Sequence, residues 1–305
     1  MNPVVHGFLR DIRTGPATRF KNMAVYPVFA TRDGGLDYLT LEEALEKKSL
    51  EVKEIDDQGS VPKLFAVNRS RHWILLLDGQ ELQGNKQNRV LNTSILLRPR
   101  SETEIPVSCS ERGRWSGRAD KVSYSKLFLS AKARYGKSKD VFASLKTGAG
   151  FRSNQLKVWA GIQTRQAMSQ TASSTLAMSD TYAKLKDDLA EYVSAFKYQP
   201  GQKGVVVSLD GKIVGMEVVS KARAYEGIHA DLIKSFAMEA LLPVEEEETE
   251  GGYDSVERFL EEAVQDTEES FDSIGAGREL RYEKKGANGC ALVCEDEVIH
   301  AAFYE

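Results

Sequence analysis

The sequence predicts an α+β fold: a β-rich N-terminal sheet or sandwich, central helices, and a C-terminal segment of hairpin, helix and strands. Short apolar runs separated by turn residues fill the first third of the chain. Helical spacing of apolar residues takes over from about 122 to 198. Strands and helices come in blocks and do not alternate, which favours α+β over α/β.

The first strand is expected at 24–31, where Pro27 argues for an edge or a bulge. Thr40 opens a short helix, with Glu43 completing a capping box. Further strands are expected at 52–55, 63–67, 73–77, 91–97 and 105–107, spaced as in an antiparallel sandwich or jelly-roll-like sheet. Residues 136–150, rich in Gly, Ser and Lys, read as a mobile loop. Leu156, Trp159 and Ile162 mark a helix behind a Ser153 cap. Leu185, Leu189, Tyr192, Val193 and Phe196 mark another behind Ser179 or Asp180. A hairpin turns at Asp210-Gly211 between 205–208 and 213–219. An amphipathic helix runs from Ile228 to Leu241 and ends at Pro243. A helix opening at residues 254–257 and strands near 278–283, 290–294 and 298–304 complete the chain.

The 305 residues carry a net charge of −4. Residues 244–272 hold thirteen acids and one base, a net −12, which leaves +8 for the rest of the chain. That balance suits an anionic ligand and falls short of the dense basic stripe of a nucleic-acid binder. Residues 244–253 read as an acidic linker. Three cysteines, Cys109, Cys290 and Cys294, argue against a disulfide framework. No leader and no apolar run near eighteen residues is present, so no membrane partner is expected and the cytoplasm is the default compartment.

The densest polar stretch runs from Asp78 to Trp115. Glu81, Lys86, Gln87, Asn88 and Arg89 follow one apolar run; Cys109, Glu111, Arg112, Arg114 and Trp115 follow another. Two such strand ends can line one pocket for a small anionic or nucleotide-like ligand. Glu81 and Glu111 are the acid/base candidates, because a carboxylate sheltered from water titrates nearer neutrality. Lys86, Arg89 and Arg114 can hold phosphate, and Gln87 and Asn88 can read a sugar or base edge. The plainer reading makes the two Glu residues salt bridges that brace the sheet ends, and Trp115 a core residue rather than a stacking platform. Cys109 reads as a small buried thiol before a nucleophile, with no His within thirty residues. Gln155 and Trp159, four apart on one helix face, can reach over the site or simply pack on the sheet. Neither a metal nor a cofactor is indicated by any spacing in the chain, and a homo-oligomer is left open.

The stretches DGQELQGNKQNRVLNTSILL and IPVSCSERGRW, with NQLKVW, SSTLAM and DGKIVG further on, resemble the ARPP-type domain family. Its name records an association with ADP-ribosylglycohydrolases and rhodanese-phosphatases. Ser110 and Gln80 depart from its pattern, standing where a bulkier apolar residue and an acidic one are expected. The resemblance implies an N-terminal arm over 1–20 and one domain over 21–305: β-rich to 120, helical over 121–199 and mixed over 200–305. It also implies a setting in ADP-ribose or nucleotide metabolism, in an essentially uncharacterised family. The expected activity is hydrolysis or group transfer on a phosphorylated or ADP-ribose-like nucleotide derivative. A non-catalytic sensor of such a ligand, or an oligomeric scaffold, is the alternative.

Overall fold

A computed structural model of the chain describes residues 2–31, 33–54, 63–84, 86–114, 122–242, 255–263, 267–284 and 287–305. Trp115 and the acidic linker at 244–253 lie outside the described residues. The chain divides into two compact units, one of residues 1–36, 190–273 and 277–305, the other of residues 37–189 and 274–276.

In chain order the first unit begins with α1 (Pro3–Asp11), β1 (Arg13–Thr14), β2 (Thr18–Phe20) and β3 (Met23–Phe29). The second unit holds β4 (Tyr38–Thr40), α2 (Leu41–Glu46), β5 (Leu50–Glu54), β6 (Lys63–Asn68), β7 (Trp73–Leu76), β8 (Gln80–Gln83), β9 (Arg89–Leu91) and β10 (Ile95–Leu97). It continues through β11 (Ser101–Cys109), β12 (Ser123–Phe128), α3 (Ala131–Lys146), α4 (Gln155–Met168) and α5 (Met178–Lys184). After α6 (Lys186–Ala195) come β13 (Gly204–Leu209), β14 (Lys212–Val219), α7 (Ala222–Leu241) and α8 (Val256–Ala263). The last strands are β15 (Thr267–Asp272), β16 (Arg278–Lys284), β17 (Ala287–Cys294) and β18 (Glu297–Tyr304).

The first unit is built on a nine-stranded sheet in the order β1-β3-β13-β14-β18-β17-β16-β15, with β2 also pairing β3. Alternation sends Val206, Met216, Val218, Leu280, Ala291, Ala301 and Phe303 to one apolar face, where Val5 and Leu9 of α1 and Phe259 of α8 join them. Pro27 costs little here. Its carbonyl, and so its missing N–H, faces the side where β2 gives way to β1, and Gly15 donates to that carbonyl at 2.9 Å. The Asp210-Gly211 turn closes β13 onto β14 with positive φ at both residues, 49° and 86°, as a two-residue hairpin requires.

The second unit packs a six-stranded antiparallel sheet, β12-β8-β9-β11-β6-β5, with a three-stranded sheet, β10-β7-β4, in which β4 and β7 are parallel. Leu39, Leu50, Leu64, Ile74, Leu76, Leu82, Leu91, Ile95 and Val107 form their shared core. Thr40 and Glu43 make the expected capping box at the start of α2. Residues 91–97 are two strands in different sheets, broken at Asn92-Thr93-Ser94 because Asn92 and Ser94 spend their side chains on Phe151 and Asp78. The stretch expected to be helical from 121 begins with β12.

Residues 136–150 mostly form α3 rather than a loop. The buried positions of α3 (Ala131, Arg134, Lys137, Ser138, Val141, Phe142 and Leu145) keep helical spacing, but three of the seven are polar. A stripe of that composition does not read as amphipathic. Lys137 makes it tolerable by pairing with Asp78 in the β7–β8 turn and donating to the Leu91 carbonyl at 2.9 Å. Gly79 in that turn has a φ of 82°, and a Cβ there would lie 2.5 Å from Cδ of Arg134. Only glycine meets both conditions.

Candidate functional site

The candidate site forms where β8, β9 and the end of β11 lie side by side in the second unit. Glu81 is paired with Val90, and Leu82 with Arg89. Side chains alternate between faces along a strand, so Glu81 and Arg89 point to opposite faces of the sheet. The two strand ends expected to line one pocket therefore contribute to two environments.

On one face Glu81 is fully buried. Ser110 Oγ donates to its Oε1 at 2.6 Å, and Ser125 Oγ donates to its backbone carbonyl at 3.1 Å. Oε2 has no hydrogen-bond partner among the described residues. Burial pushes the carboxyl up to about 7; the two serines oppose the shift, and the negative charges of Glu111 and Asp180 add to it.

Glu111 is buried too but behaves oppositely. Arg114 Nε donates to both its oxygens at 3.0 Å, and Arg114 Nη2 lies 2.7 Å from Oε2. The Asn88 N–H donates to Oε2 at 3.2 Å. Burial works to raise this carboxyl, but hydrogen bonds from Arg114, Thr175 and Asn88 outweigh it and hold it below the usual range. Arg114 Nη2 also donates to the Gly84 carbonyl and Asn88 Oδ1, at 3.2 and 3.1 Å. Glu111, Arg114 and Asn88 thus form a closed brace that joins the β8–β9 loop to the segment after β11.

The loop before α5 completes this face. Thr175 accepts from the Arg112 and Gly113 N–H groups at 3.1 and 2.7 Å, and Met178 N–H donates to the Ser110 carbonyl at 2.9 Å. A Cβ on Gly113 would sit 2.9 Å from Thr175 Cα, so a bare backbone is needed for this approach. Ser173 donates to Asp180 at 2.5 Å and holds that charge in the loop's first helical turn.

On the other face Arg89 is fully buried. Its Nη1 donates to Gln87 Oε1 at 3.2 Å, and its Nη2 lies 3.9 Å from Glu54 Oε2. Gln87 Nε2 donates onward to the Arg112 carbonyl at 3.3 Å. Lys86 is half-buried at the loop between the strands. Cys109 faces Arg89 across the ladder; burial raises its thiol, and Arg89 only partly offsets this. A thiol so placed is not an activated nucleophile.

Gln155 and Trp159 share a face of α4, and both reach the end of β11. Gln155 accepts from the Cys109 N–H at 2.7 Å and donates to the Cys109 carbonyl at 2.9 Å, as a neighbouring strand would. The Arg112 guanidinium lies 5.2 Å from the Trp159 ring centroid. A family model described as the ARG and Rhodanese-Phosphatase-superfamily-associated Protein domain, ARPP-1, matches residues 11–304. The chain belongs to the ARPP-1 family. No curated protein and no solved structure matches it.

Four of the stretches that carry the resemblance, those around Glu81, Cys109, Gln155 and Thr175, meet at the end of β11, while the fifth, at 210–215, is the β13–β14 turn of the first unit. Glu81 and Glu111 come within electrostatic reach of one another, and Glu111 with Arg114. Arg89 is set apart from them, and Trp115 lies outside the described residues. Asp180 and Glu54 were not legible as site residues. One reads as a helix cap and the other as a strand end, and only the tertiary pairing brings them in. Among the described residues no helix is long and apolar enough to cross a membrane.

Proposed function

We propose that this ARPP-1 protein hydrolyses or transfers a group on a phosphorylated or ADP-ribose-like nucleotide derivative, with Glu81 as the proton-transfer residue. The observation that supports this is the Glu81 carboxyl itself, raised to about 7 by burial. A group that titrates near the working pH is present in both protonation states and can give or take a proton in a transition state. Glu111 titrates too low for that task and has its lone pairs engaged. It is proposed to hold the loop that carries Ser110. Asn88, Arg114 and Trp115 are proposed to meet the ligand's phosphate, sugar or base. The substrate class rests on the family's association with ADP-ribosylglycohydrolase and rhodanese-phosphatase superfamilies and is part of the proposal.

The test is product analysis by mass spectrometry after incubation with NAD, ADP-ribose and phosphorylated nucleotide derivatives. Turnover by the wild type and none by a folded Glu81→Gln variant is the expected result. Equal turnover by both would remove Glu81 from the chemistry. The full burial of Glu81 favours a second reading, a non-catalytic sensor, since no substrate reaches its carboxyl in this arrangement of the chain. Saturable binding across the panel without product would select that reading.

A further inference from the structure

We propose that the second unit contains an anion-binding site on the face of the six-stranded sheet opposite Glu81, in which Glu54 occupies the place of a ligand's acid group. A cavity of about 690 Å³ is lined by residues of β5, α2 and β12. β5 and β12 are the two outer strands of the six-stranded sheet, so the sheet curls around this space. The volume falls in the range of small-molecule sites. Leu45, Leu50, Val52, Val122 and Tyr124 supply apolar walls, and Glu54 lies at the end of the β5 side.

Glu54 shares a face with Arg89. The register runs from Glu54 to Leu64 and from Leu64 to Ile105. Cys109, four residues beyond Ile105 on the same face of β11, pairs with Arg89. Arg89 and Glu54 make a poor pair. Their nearest charged atoms are 3.9 Å apart. Arg89 Nε and Nη2, and both oxygens of Glu54, are buried without a hydrogen-bond partner among the described residues. Nε and Nη2 form the edge of a guanidinium that receives two oxygens of a carboxylate or phosphate side by side. Nη1 is already held by Gln87, which leaves the Nε/Nη2 edge without a partner and Nη2 3.9 Å from Glu54 Oε2.

Buried donors and acceptors that go unpaired are costly, and a ligand that pairs them recovers that cost. Glu54 neutralises Arg89 without satisfying it, so an incoming acid can displace it. Of the cationic groups that line the cavity, Lys53 and Arg69 are committed to Glu51 and Lys126 to Glu42, while Lys48 stands on its rim. Arg89 is not part of the cavity's lining; it is fully buried beside Glu54 and becomes the anchoring cation, with two unpaired donors, once the ligand's acid group takes the place of Glu54. The ligand class is a small organic acid, a phosphate monoester or a carboxylate, whose apolar or aromatic body fills the Leu50, Val52 and Tyr124 walls. This site is separate from Glu81 and stands whether or not Glu81 proves catalytic.

The full chain is titrated by calorimetry with phenyl phosphate and with benzoate, in the wild type, Glu54→Gln, Arg89→Lys and Glu81→Gln, each checked for folding by a melting curve. Removing the internal acid in Glu54→Gln tightens binding of at least one probe by about tenfold, and Arg89→Lys, which loses the fork, weakens it by at least about tenfold. Binding in Glu81→Gln stays at the wild-type level, which keeps this result apart from any failure of the proposed catalysis. The proposal is overturned if neither probe saturates the wild type or Glu54→Gln, or if Glu54→Gln binds no tighter than the wild type. Should Arg89→Lys not fold, the gain in Glu54→Gln alone decides.

Discussion

Burial pushes both the Glu81 and the Glu111 carboxyl up, and only Glu111 has hydrogen-bond partners enough to reverse the shift. Glu81 receives one side-chain hydrogen bond from a serine, and burial then lifts it to about 7 from an ordinary 4.5. Its folded value exceeds its unfolded one, so the folded chain keeps a proton that the unfolded chain releases. The stability this gives is full below about 4.5 and is lost as pH rises towards 7. The loss is on the order of 3 kcal/mol. Glu81→Gln has no such proton, and its urea midpoint is expected to stay level between pH 5 and pH 8 relative to the wild type's decline. Parallel curves for the two proteins would show that Glu81 does not titrate in that window. Glu111 follows the reverse sign: its lowered carboxyl gives stability that is present above the ordinary range and lost in acid. Replacing it strands the Arg114 guanidinium, and Glu111→Gln is expected to cost roughly 3–5 kcal/mol. Chemical unfolding at pH 7 measures this, and a loss below about 1 kcal/mol, the scale of an exposed pair, would mean that the brace is replaceable.

At the scale of elements, α3 shows why part of the fold was hidden. Its buried stripe has Arg134, Lys137 and Ser138 where a core helix carries apolar residues, and its glycine and serines read as a loop. The stabilising partner, Asp78, lies far away in sequence in a turn recognisable only as Asp78-Gly79. Truncating Lys137 to Met leaves Asp78 buried alone, and a cost of roughly 3–5 kcal/mol is expected. The double variant Asp78→Asn/Lys137→Met should recover most of it, because no uncompensated charge remains. A double variant no better than the single one would place the cost in packing instead. The capping box of α2 and the β13–β14 hairpin were legible because their signals are local: two side chains three apart, and a two-residue turn. The stretch from Asp78 to Trp115 was legible as a polar concentration. Its division into two faces was not, since that depends on Glu81 meeting Val90 and not Arg89, a register no composition reveals. Glu54 and Asp180 were missed for the same reason.

At the scale of the whole molecule, the second unit is not one continuous stretch. Residues 274–276 return to it after the chain has built most of the first unit. Ala276 N–H donates to the Leu96 carbonyl at 2.9 Å, and a Cβ on Gly275 would fall 2.2 Å from that same oxygen. No rotamer relieves such a contact, because both atoms belong to backbone or to the first side-chain carbon. Gly275→Ala must therefore push the returning segment away from β10, at a cost of about 1–3 kcal/mol typical of overpacking. The three tryptophans, Trp73, Trp115 and Trp159, all fall within residues 37–189, so their fluorescence reports the second unit alone, while far-ultraviolet circular dichroism reports strands and helices of both. The expected outcome is a fluorescence transition moved to lower denaturant in Gly275→Ala. If the circular dichroism transition moves by the same amount, the two units unfold as one; if it broadens or splits, they unfold separately. A fluorescence midpoint left at the wild-type value would show that residues 274–276 contribute nothing to the second unit's stability.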